Sequence, residues 1–154
     1  MWMKLFQVQF VYPCVAMTQE IEKLLGQGKW QEAQAKAEQM ILAQPVNPRA
    51  HAYLGLSLYR QGKLEQAVSS LKKATILDEE FWEAGTKLAQ CLDQLQRYEE
   101  ALEVVEQFLA IKPSDSTLLH LESGLRRNVP EKITDSWQKT TFLDHHHVEL
   151  THRD

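Results

Sequence analysis

The sequence predicts an all-α fold, an α-solenoid of stacked antiparallel helix pairs, and three observations carry that prediction. The chain repeats itself at a step of 34 residues, so that Ala33, Ala67 and Ala101 align, as do Trp30, Leu64 and Tyr98, and Leu24, Leu58 and Leu92. A fixed period of this length marks an array in which each unit buries its apolar face against its neighbours. Each period holds two stretches of helical apolar spacing, divided by a turn at Gln27-Gly28-Lys29, Gln61-Gly62-Lys63 or Leu95-Gln96-Arg97. Between periods stand Gln44-Pro45-Val46-Asn47-Pro48, Asp78-Glu79-Glu80 and Lys112-Pro113-Ser114-Asp115; the prolines of the first and third stop one helix and allow the next.

Residues 1–16 stand apart. Phe6, Val8, Phe10 and Tyr12 alternate with Gln7, Gln9 and Val11, a strand-like period of two, and Pro13 forbids an unbroken helix into the first repeat. Three readings stay open: an extended arm packed on the array or left disordered, an export signal whose apolar stretch the glutamines interrupt, or a leader upstream of a true start at Met17. In the last, Thr18 is expected to cap the first helix, with Glu20 and Glu22 in its first turn.

Helices are then expected over 17–27 and 30–43, 48–60 and 64–77, and 82–95 and 98–111. Glycine at the first two turns suits a left-handed helix terminator. Gln96 replaces it at the third, so that corner is expected to be strained or differently wound. Residues 116–127 read as a closing helix, capped by Ser114 or Asp115, with Leu118, Leu121 and Leu125 as its apolar stripe. The expected organisation is an arm over 1–16, a repeat domain over 17–127 with units of about 14–47, 48–81 and 82–115, and a mobile tail over 128–154.

The stretch from Ala50 to Asp78 resembles a tetratricopeptide repeat, with Leu54-Gly55, Tyr59, Gly62, Leu64, Ala67, Leu71 and Ala74 at that motif's intervals. Residues 82–113 repeat it with Leu88-Ala89, Leu92, Tyr98, Ala101, Val105, Phe108 and Pro113. The first unit matches only in its second half, through Gly28, Trp30, Ala33, Ala37, Met40 and Pro45; Glu20 and Ile21 depart from the pattern. The resemblance implies a right-handed superhelix of helix pairs and a role in holding another protein. Its motif residues are packing residues: Gly55 and Ala89 allow a close crossing onto Ala67 and Ala101, where a leucine would cost about 1–3 kcal/mol.

Composition narrows the function. A hydrophobic content of 44%, a charged content of 25% and a net charge of -4 are ordinary for a globular chain. There is no basic stripe to suit nucleic acid, and no apolar run long enough to span a bilayer. A cytoplasmic setting is expected, or an exported one if residues 1–16 act as a signal. Cys14 and Cys91 stand in no metal-ligand spacing, and Cys91 is expected to be a buried thiol. The sequence holds no phosphate-binding Gly-rich loop, no HExxH and no GxSxG, so no catalytic residue, enzyme activity or cofactor is assigned. The acidic run Glu99, Glu100, Glu103 and Glu106 is expected to be a solvated helix face.

In the family that this chain resembles, the first helix of each pair lines a concave groove. Carried over by the 34-residue step, the groove is expected to present Thr18, Glu22, Leu25 and Gly26, then Arg49, Ala52, Leu56, Tyr59 and Arg60, then Glu83, Thr86, Gln90, Asp93 and Gln94. Leu56 and Tyr59 form an apolar and aromatic spot flanked by two arginines, the kind of residues that dominate recognition patches. Related co-chaperones grip acidic C-terminal tails with a Lys, Asn and Arg clamp. Here Thr18, Glu22, Leu56 and Glu83 hold the places of its Lys and Asn, and only Lys87 is compatible. The expected function is therefore a non-catalytic adaptor for a peptide or helix of a protein partner. The alternatives are a small chaperone of the bacterial secretion type for a hydrophobic client, a metal-binding role for the tail histidines His145, His146, His147 and His152, and self-association through a terminal repeat.

Overall fold

The computed structural model describes residues 15–129, and all of its regular structure is helical. Helix α1 runs through residues 15–26, followed by α2 (Trp30–Ala43), α3 (Pro48–Arg60), α4 (Leu64–Leu77), α5 (Trp82–Gln94), α6 (Tyr98–Ile111) and α7 (Ser116–Asn128). Each helix packs chiefly on those before and after it in the chain, so short turns give antiparallel pairs stacked into an array.

The three turns within pairs are built alike. Lys29 N donates to Leu24 O, Lys63 N to Leu58 O and Arg97 N to Leu92 O, at 2.9, 3.0 and 2.9 Å. This closure requires a left-handed residue, supplied by Gly28 and Gly62 at φ 76°. Gln96 adopts φ 60° at the third turn. The corner is wound like the others, and the cost falls on a residue with a Cβ.

Caps follow local chemistry. Asn47 Oδ1 accepts from Arg49 N and Ala50 N ahead of Pro48, and Asp115 Oδ1 accepts from Thr117 N and Leu118 N. Asp115, not Ser114, is thus the cap of α7. Thr18 does not cap α1. Residues 15 and 16 are already helical, and Thr18 Oγ1 turns back to donate to Val15 O at 2.7 Å.

The core has two clusters. One gathers Ile21, Leu24, Ala33, Ala37, Met40 and Ala50; the other runs from Leu58 through Leu71, Leu92 and Phe108 to Leu118 and Leu125. Leu54 packs against both. Gly55 permits the α3–α4 crossing: a Cβ there would lie 2.6 Å from Leu71 Cγ and 3.3 Å from Ala67 O. On the far side of the stack, Arg97 pairs with Glu65 of α4 and Glu100 of α6, and Lys72 with Glu100. The Arg97 guanidinium donates hydrogen bonds to Glu100 and holds its carboxyl below the ordinary range. Glu100 and Glu106, which pairs with Arg126, therefore join ion pairs instead of only facing water.

Candidate functional site

Helices α1, α3 and α5 are the first members of the three pairs, and the candidate groove is their shared face. The geometry is best defined on α3, where Arg49, Ala52, Tyr53 and Leu56 lie at successive three- and four-residue spacings. Arg49 is exposed and forms no ion pair among the described residues. Leu56 is partly buried yet joins neither core cluster, unlike Ala52 and Tyr59, which pack against the larger one.

Two tyrosines tie α3 to its neighbours. Tyr53 donates its phenol to Glu22 Oε1 of α1. Burial first, and then this bond to Glu22, pushes the Tyr53 phenol up to about 12. Gln94 Nε2 of α5 donates to Tyr59 Oη at 2.9 Å. Both phenols are thereby tied to neighbouring helices. Tyr53 was not among the groove residues expected from sequence; its spacing of four from Arg49 and three from Leu56 was the available signal.

The structure separates several expected members. Thr86 is buried, with Oγ1 donating to Trp82 O at 2.9 Å, so its hydroxyl is spent within its own helix. Arg60 is exposed but lies over the Trp30 ring of α2, 5.5 Å from its centroid, directed back toward the first pair. Leu25 packs on the smaller core cluster, and Gly26 is exposed. Lys87 Nζ donates to Gln90 Oε1 at 2.9 Å. Glu83 and Asp93 form no ion pair among the described residues.

Two hollows extend the face. One, of about 290 Å³, lies at the starts of α3 and α5 and is lined by Arg49, Asp78, Glu80, Phe81, Trp82 and Glu83. Lys112 Nζ sits over the Trp82 ring at 3.9 Å. The other, of about 310 Å³, lies between Asp93 of α5 and His120, Leu121, Gly124 and Arg127 of α7. Helix α7 thus stands where the first helix of a fourth pair would stand.

Cys91 is buried, and burial pushes its thiol up to about 11, which makes it inert at neutral pH. Among the described residues no group of three His, Cys, Asp or Glu could hold a metal ion. His145, His146, His147 and His152 lie outside the described residues, as does the alternating segment before residue 15. No described helix is long and apolar enough to cross a membrane.

Two tetratricopeptide-repeat models match the sequence, one over residues 19–84 and one over 58–123, together spanning well over half of the chain. The chain belongs to the tetratricopeptide-repeat family. Solved structures give the same fold. The tetratricopeptide domain of Arabidopsis OM64 superimposes with a TM-score of 0.71 at 19% identity, covering 74% of this chain and 94% of that one. The second such domain of human RPAP3, in complex with the HSP70 peptide SGPTIEEVD, gives 0.69 at 19% identity over 73% and 93%. The Sgt2 domain of Aspergillus fumigatus gives 0.69 at 17% identity over 80% of each chain. A comparison with curated protein sequences finds no match.

Proposed function

We propose that this tetratricopeptide-repeat chain is a non-catalytic adaptor that holds an extended or helical segment of a partner protein against α1, α3 and α5. The observation that carries this reading is Leu56. It is a leucine that neither core cluster takes up, on the same helix as Arg49 and two tyrosines fixed by hydrogen bonds to neighbouring helices. An apolar residue left over by the core, beside hydrogen-bonded aromatic rings and an unpaired arginine on the same helix, is a typical centre for a protein interface.

The charges specify the ligand. The HSP70 peptide bound to the RPAP3 domain ends in Glu-Glu-Val-Asp. Here Thr18, Glu22, Leu56 and Glu83 occupy the clamp places, and Glu83 and Asp93 repel an acidic tail. The preferred ligand is a segment with an apolar residue for Leu56 and Tyr59, an acceptor for Arg49, and a basic or neutral end toward Asp93.

The test is capture of partners from the native host by wild type and by a Leu56→Asp, Tyr59→Ala variant shown by circular dichroism to be folded. A protein retained by wild type and lost by the variant supports the groove. Equal capture of every partner by both moves binding elsewhere.

A further inference from the structure

In an array of antiparallel pairs the helix ends form two rims. One carries the turns at 27–29, 61–63 and 95–97; the other carries the starts of α1, α3, α5 and α7, the ends of α2, α4 and α6, and the loops between pairs. The large apolar side chains that stand exposed among the described residues all belong to the second rim. Leu42, Val46 and Ile76 are 84%, 76% and 75% exposed, and Leu42 and Ile76 hold the same position one repeat apart. Val15, Leu77 and Ile111 are exposed at helix ends on the same rim, and Leu119 in the first turn of α7. Single exposed apolar groups are ordinary, whereas a row confined to one edge marks a surface that something covers.

We propose that this rim is covered by the chain's own residues 1–14, laid along it from the start of α1 toward α6. The segment joins α1 at Val15, itself a rim residue, so it begins where the row begins. Fourteen residues extend to at most about 50 Å. Five helix-to-helix steps from α1 to α6, at about 8–10 Å each, come to about 40–50 Å, which the fully extended segment just spans. An extended segment puts Phe6, Val8, Phe10 and Tyr12 on one side, matching an apolar row, and Leu5, Gln7, Gln9 and Val11 on the other. The charges match too. Lys4 is the segment's one charged side chain, and the middle loop of the rim is the exposed run Asp78-Glu79-Glu80, within the reach of residue 4.

The experiment is a thiol-protection assay on the full chain carrying Cys14→Ser, in which the remaining native thiol is the buried Cys91. Leu42→Cys reports on the apolar rim and Gln27→Cys on the opposite one, both at exposed positions. Each maleimide rate is divided by the rate of the same protein unfolded in urea. The expected result at micromolar protein is a reaction at residue 42 at least tenfold slower than at residue 27. Changing Phe6, Phe10 and Tyr12 together to Ser abolishes that protection, and Lys4→Glu reduces it severalfold. Equal rates at the two rims overturn the proposal. Protection that survives the three serine changes and grows with protein concentration also overturns it, and assigns the rim to a second copy of the chain.

Discussion

Gly85 lies against the ring of Phe108 so closely that a Cβ at residue 85 would stand 2.1 Å from Phe108 Cε2. One repeat earlier the same two places hold His51 and Ala74. The larger residue of the two thus stands on the first helix in the second pair and on the second helix in the third. Gly85→Ala is expected to destabilise the protein by about 1–3 kcal/mol, even though alanine favours a helix by about 1 kcal/mol over glycine. Adding Phe108→Leu to the same chain should recover part of the loss. Denaturant unfolding of the two single variants and the double measures this coupling, and simple additivity would show that the clash is absent.

Gln96 takes the left-handed conformation that glycine takes at the other two corners. Gln96→Gly should therefore raise stability by about 1 kcal/mol, and Gly62→Ala should lower it by a similar amount. Thermal melts of both variants test the pair of signs, and a melting temperature lowered by Gln96→Gly would refute the argument.

The Tyr53 phenol is raised from 10.0 to about 12, through burial and its bond to Glu22. The folded protein thus keeps a proton that the unfolded chain releases between these values. The stabilisation is complete below pH 10 and is lost as the pH climbs through 12. An ultraviolet titration should show one tyrosine ionising late, and Tyr53→Phe should remove that late step. An unchanged titration curve in the variant would place the late phenol elsewhere.

A peptide ending in Glu-Glu-Val-Asp should show no saturable binding to this chain at concentrations up to about 1 mM, because the proposed groove would present Glu83 and Asp93 to it and offer no Lys and Asn clamp. Glu83→Lys should introduce weak binding. Calorimetry of both proteins decides, and tight binding to wild type would end the proposed charge selectivity.

Much of the backbone was legible in the sequence, because each element was specified locally. The apolar spacing placed the helices to within a residue or two, Gly28 and Gly62 marked their corners, and Pro48 the start of α3, while Ser114 and Asp115 stood equally as the cap of α7 until the hydrogen bonds chose Asp115. The 34-residue step carried backbone positions from one unit to the next, but it carries no rotamers. That is why Thr86 turned back into its helix, Arg60 settled over Trp30, and Gln94 reached Tyr59 without any sign in the spacing. The start of α1 was missed for a different reason. Thr18 resembles a cap by type, and only its bond to Val15 O reveals a helix already under way.

Helix α3 places Ala50 in one core cluster, Leu58 in the other, and Leu54 against both. It is the keystone of an arch, the one member on which both sides lean. The same helix also carries the exposed Arg49 and Leu56, which joins neither cluster. A ligand that grips those side chains therefore braces both sides together, and its grip should register as greater resistance to unfolding throughout the array, rising with ligand concentration.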